Sequence, residues 1–250
     1  MDNVIAALAE QQAELSGLVD GLESDWERPS RCAGWTVADV VLHLAQTNEL
    51  AVASATGRYT ETLAALGEGL GTPLSIDEGA DLLVARERGG PVGALRARWE
   101  ASAAAQLDAL RECDPRARVT WVAGELSAKT LATTRLAETW IHTGDVAAAF
   151  GRVPVATDRI RHIARLAWRT LPYAFAQAGR QLSGPVAFDL RSPSDDAWQF
   201  VPDDEPLTVI RGDAAELCSV AARRADPAET GLRGQGPDVD AVLQLVRTYA

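Results

Sequence analysis

Apolar residues recur at helical spacing from the start of the chain. In NVIAALAEQQAELSGLVDGL, residues 3–22, Val4, Leu8, Leu15, Leu18 and Leu22 fall on one face and predict an amphipathic helix. Residues 25–35, DWERPSRCAGW, contain Pro29 and Gly34 and predict a loop. The next helix starts at Thr36, with Asp39 three residues on, a capping box with Asp in place of Glu; it runs through VADVVLHLAQTNELAVASA. Between 58 and 90 the pattern predicts shorter helices, broken at Gly71-Thr72-Pro73 and Gly89-Gly90-Pro91. Pro91 suits the first turn of a long helix that reaches Cys113, where Asp114-Pro115 ends it. A short extended piece, 118–123, precedes a helix from Leu126 to Phe150, with Gly151 as its C-cap. Residues 157–179 predict one more helix, kinked at Pro172.

After Gly184-Pro185 the pattern changes to alternation. VAFDLRS, AWQFV and LTVIRG predict strands, separated by the turns SPSDD and PDDEP. DAAELCSVAARRA and PDVDAVLQLVRTYA predict two closing helices. The expected architecture is α+β: a helical bundle over 1–182, then a small α+β domain over 183–250.

A chain of 250 residues, 47% hydrophobic, can bury a sizeable core. Its net charge of -11 repels phosphate backbones and anionic lipid surfaces, which argues against nucleic-acid and membrane partners. No basic-then-apolar leader and no membrane-length apolar run occurs, so the expected location is the cytoplasm. Cys32, Cys113 and Cys218 are odd in number and far apart, as reduced thiols are. Oligomeric state stays open between monomer and dimer.

The chain has three histidines. Glu138 and His142 are four apart on one predicted helix and share a face, so a carboxylate and an imidazole can reach one ion. His43 is mid-helix, with Val40, Leu44 and Thr47 as its inward neighbours. Facing helices of a bundle bring such residues together, and two imidazoles with one carboxylate leave positions free for water or substrate. A solvated Glu–His pair and an ordinary core histidine are the other readings of the same residues. Asp145, three after His142, fits either a partner of a ligand histidine or a surface position. Asp39 reads as a cap, Trp35 and Trp140 as packing residues (Trp35 also as a pocket wall), and His162, in a basic stretch, as surface or structural. Cys218 reads as a buried, inert thiol. GEGLG at 67–71 has no strand before it and is a loop; RGD at 211–213 is a strand-to-helix junction capped by Asp213.

GWTVADVVLHLAQTNE and ETWIHTGDVAAAFG resemble the two metal-binding motifs of the mycothiol-dependent maleylpyruvate isomerase branch of the DinB-like superfamily. The segment from GPVAFDLRSP through WQFVP to VIRGDAAELCSVAARR is similar to the C-terminal module of that branch, nearest to a subgroup of actinobacterial metal-binding proteins of this length. The resemblance implies a bundle of four long helices, up-down-down-up, and a metal held by His43, Glu138 and His142. Zinc is the metal it implies first, with nickel or iron as alternatives. It implies a catalytic role for Arg224, although Val220 and Arg223 stand where the branch has Trp and Gly. The expected function is a metal-dependent enzyme using mycothiol or a similar small thiol on a small electrophile, as an isomerase or thiol S-transferase. A thiol-free lyase or cyclase of natural-product assembly and a non-catalytic metal-binding regulator are the alternatives.

Overall fold

The computed structural model describes residues 1–22 and 25–248. They form two compact units, 1–154 and 155–248. The first is built on four long helices: α1 (Asp2–Val19), α2 (Val37–Ala55), α5 (Val92–Glu112) and α6 (Ala128–Ala149). Two shorter helices, α3 (Tyr59–Leu66) and α4 (Ile76–Glu87), lie between α2 and α5 in sequence. In the bundle α1 packs on α5 and α6, and α2 packs on the same two. Leu15, Val19, Val40, Val41, Leu44, Trp99 and Val146 meet in its core.

Polar residues cross this core as a chain of hydrogen bonds. Gln12 Nε2 donates to Gln106 Oε1 (3.0 Å), and Gln106 Nε2 donates to Asn48 Oδ1 (2.9 Å). Both residues of each pair are buried, so their amides lock α1, α5 and α2 in one register.

The capping box of α2 forms as expected. Thr36 Oγ1 accepts from the Asp39 amide, and Asp39 Oδ2 accepts from the Thr36 amide. α1 stops at Val19, earlier than its apolar spacing suggests, because Asp20 is extended and Gly21 left-handed. The extended piece after α5 is half of a hairpin: β1 (Arg118–Trp121) pairs antiparallel with β2 (Gly124–Ser127). Gly124, at φ 100, closes that turn, and Ser127 caps α6, which starts at Ala128, two residues later than predicted.

The second unit holds a four-stranded sheet in the order β4 (Ala197–Phe200), β3 (Val186–Arg191), β5 (Thr208–Asp213), β6 (Arg233–Gln235). β3 and β5 are parallel and the other pairs antiparallel. The expected kinked helix is two helices, α7 (Arg161–Arg169) and α8 (Leu171–Gln177), because Pro172 starts α8 rather than bending α7. α7 packs on β3 and β4, and Trp168 Nε1 donates to the Val186 carbonyl (2.7 Å). The compact division therefore groups this segment with the sheet, ahead of the boundary read after residue 182. α9 (Ala214–Ala221) and α10 (Val239–Leu245) complete the unit. The last two residues of the predicted closing helix lie outside the described residues. Among the described residues no helix is long and apolar enough to cross a membrane.

Candidate metal centre

The cap at Thr36 sets the phase of α2, so His43, about two turns in, faces α6. On α6, Glu138 and His142 share one face by their spacing. His43 Nε2 lies 3.0 Å from Glu138 Oε1, and His142 Nε2 lies 3.2 Å from the same oxygen. The three ligand atoms fall within 4.8 Å of one another. Ligands at about 2.0–2.2 Å from a tetrahedral zinc stand about 3.3 Å apart, so the donor set fits a divalent ion with small adjustments. Both imidazoles are buried, while the Glu138 side chain keeps 23% of its exposure and opens the group to solvent.

Asp145 lies on the inner face of α6, fully buried. Its Oδ2 accepts from His142 Nδ1 at 3.0 Å. This leaves Nε2 aimed at Glu138, the arrangement in which a carboxylate orients a ligand histidine from behind.

Burial would raise the Glu138 carboxyl, but hydrogen bonds from His142 and His43 outweigh it and hold the group well below the ordinary range. Burial likewise opposes the charge on His142, but its bonds to Asp145, Cys32 and Glu138 carry it well above the usual histidine value. His43 goes the other way: burial lowers it, and the bond to Glu138 offsets this only in part. Without an ion, His142 is thus the protonated partner and His43 the neutral one.

The loop before α2 brings in a residue that sequence spacing does not reveal. The Arg31 amide donates to the Asp145 carbonyl (3.3 Å), and Ser30 Oγ accepts from the Cys32 amide and donates to the Trp35 carbonyl. This turn sets Cys32 Sγ 3.2 Å from Asp145 Oδ2 and 3.7 Å from His142 Nδ1. Cys32, His142 and Asp145 form a second possible ligand group, but it uses the ring nitrogen that Asp145 already holds. Trp35 covers the two histidines, with ring centroids 5.1 Å from His43 and 6.5 Å from His142, and its indole Nε1 donates to Asp81.

The structure thus gathers His43, Glu138, His142 and Asp145. Arg224 lies in the second unit, past α9 and after Arg223, whose φ is 58; its guanidinium donates to the Ala222 carbonyl. Cys218 is buried on α9 with its thiol pushed up by burial. His162 is on α7 and Trp140, half-buried, on α6. Asp39 caps α2 and also meets Arg88 at 3.5 Å.

A family model described as the mycothiol maleylpyruvate isomerase N-terminal domain matches residues 8–147. An uncharacterized protein of Mycobacterium tuberculosis, found in two strains, is 30% identical over 251 residues, spanning 98% of this chain and 95% of its own. A crystal structure of the mycothiol-dependent maleylpyruvate isomerase superimposes with a TM-score of 0.61 at 21% identity, covering 95% of each chain. A histidine-to-alanine variant of that isomerase gives 0.59 at 22%, with the same coverage.

Proposed function

Because the chain belongs to the mycothiol maleylpyruvate isomerase family, we propose that it is a metal-dependent enzyme that uses mycothiol or a similar small thiol on a small electrophile. The observation that carries this reading is the convergence of His43, Glu138 and His142 at one point that remains open beside Glu138. A structural site fills all four positions with protein donors, whereas a catalytic one keeps a position open beside three. The similar proteins of known structure are mycothiol-dependent maleylpyruvate isomerases.

The three residues would hold a divalent ion, zinc by donor chemistry and resemblance. When bound, the ion supplies Lewis acidity, which lowers the pKa of a thiol or polarises a carbonyl. The remaining work falls to the chain. Asp145 holds His142 in one ring orientation and keeps a proton on Nδ1. Trp35 shields the imidazoles from water on one side. Addition of a thiol to an activated double bond permits rotation, and elimination returns both the alkene and the thiol. Transfer of the thiol to an electrophile is the other outcome of the same first step. Arg224 retains, from the resemblance, a proposed part in catalysis, which loss of turnover in Arg224→Ala with intact thiol binding would support.

Calorimetric titration of mycothiol into the zinc-loaded protein tests the reading. Saturable binding is expected. No binding at millimolar thiol would overturn the thiol role and leave the metal assignment to its own test.

A further inference from the structure

Arg135 sits on α6 one turn before Glu138 and is 2% exposed. Its Nη2 donates to Thr47 Oγ1 (2.8 Å), and its guanidinium lies over the Trp121 indole, 5.6 Å from the ring centre. Its Nε, also buried, has no hydrogen-bond partner. Both hydrogen bonds of Glu138 go to the histidines, so the nearest carboxylate acts on Arg135 only through space. One neutral hydrogen bond and one ring contact offset only part of the cost of burying a guanidinium, which stays charged at any physiological pH.

A second buried donor lies against the same indole. The Tyr59 hydroxyl has no partner, and its ring is 5.6 Å from that of Trp121. Burial pushes Tyr59 up to about 12, so it remains a donor. Each is a buried donor left unsatisfied, and the cationic one calls for an acceptor-rich anion.

The position of this group relative to the metal ligands follows from two rungs between α2 and α6. His43 meets Glu138, and one turn along Thr47 meets Arg135. The rungs are about 5–6 Å apart on each helix. A carboxylate on Arg135 would leave a carbon a few bonds away within reach of a group held at His43, Glu138 and His142.

We propose that Arg135 is the anion-binding residue of this site and receives a carboxylate of the substrate. As to what the anion belongs to, the proposal rests on the reading of the centre given above. The planar fork of Arg135 suits a carboxylate better than a spherical ion does.

The test uses the full chain freed of metal, so that an anion cannot bind through the ion, with maleate as probe. Wild type is expected to bind maleate, and maleamide, the neutral diamide, is expected not to. Arg135→Met should weaken maleate binding by about tenfold or more, and Arg135→Lys should restore part of it. Since the Met variant removes a buried charge that is only partly compensated, it should melt at or above the wild-type temperature. Equal maleate binding by wild type and Arg135→Met, or none by wild type, would overturn the proposal. Should the Met variant fail to fold, maleate soaked into wild-type crystals decides: carboxylate density on Arg135 Nε supports it, and only water there overturns it. Maleate failure with intact mycothiol binding sinks this inference alone; mycothiol failure with maleate bound at Arg135 sinks only the thiol reading.

Discussion

His142 puts its two ring nitrogens to different uses: Nδ1 is held by Asp145, and Nε2 is aimed at Glu138. Asp145→Asn should keep the fold and weaken zinc binding about 10–100-fold, as measured by chelator competition, because the ring loses its orienting carboxylate. Unchanged affinity would reduce Asp145 to packing. The Glu138–His142 pair could be read from sequence because both residues stand on one helix at a fixed interval. Asp145 could be suspected for the same reason. Cys32 could not: its approach depends on the 30–35 turn and the Arg31–Asp145 backbone bond, and a separation of 113 residues carries no period. Arg135 was equally hidden, since only burial and an empty Nε distinguish it from any helix-surface arginine.

At the level of elements, the cap of α2 fixes where His43 points. Thr36→Ala should cost about 1 kcal/mol, seen as a lower midpoint in urea, with zinc binding retained. The amide chain across the bundle is less forgiving. Gln106→Leu strands the Asn48 carbonyl and the Gln12 amide and should cost about 1–3 kcal/mol in the same assay. α2, α5 and α6 were legible because strong apolar spacing, caps and breakers agree along them. β6 was not, because RGQ has no strand character: a Cβ at Gly236, just past it, would strike the Leu207 carbonyl, so chain approach there selects glycine over β-formers. β2 is equally silent in sequence, since GELS takes its strand form from pairing with β1. The break before α8 reads as a kink in the sequence, which does not distinguish a proline within a helix from one that begins the next.

Across the whole molecule, every residue of the candidate centre belongs to the first unit, so its proton balance can be followed as one system. His142 is raised, so in the metal-free protein its bonds contribute stability fully below its ordinary value of 6.5 and lose it as pH rises through the folded value. Glu138 is depressed, so its contribution is present above 4.5 and is lost as pH falls through the folded value. An ion must displace the proton from His142 Nε2, while His43 is already neutral. Zinc binding at neutral pH should therefore release about one proton, and affinity should climb with pH past the ordinary histidine range. Calorimetry in buffers of different ionisation enthalpy checks this; an affinity flat with pH would contradict it. The central claim, that His43, Glu138 and His142 hold the ion, is tested most directly by zinc titration against a chromophoric chelator. The account predicts one zinc per chain for wild type and at least about 100-fold weaker binding for each of His43→Ala, Glu138→Gln and His142→Ala. No competitive binding by wild type, or undiminished binding by the variants, would contradict it.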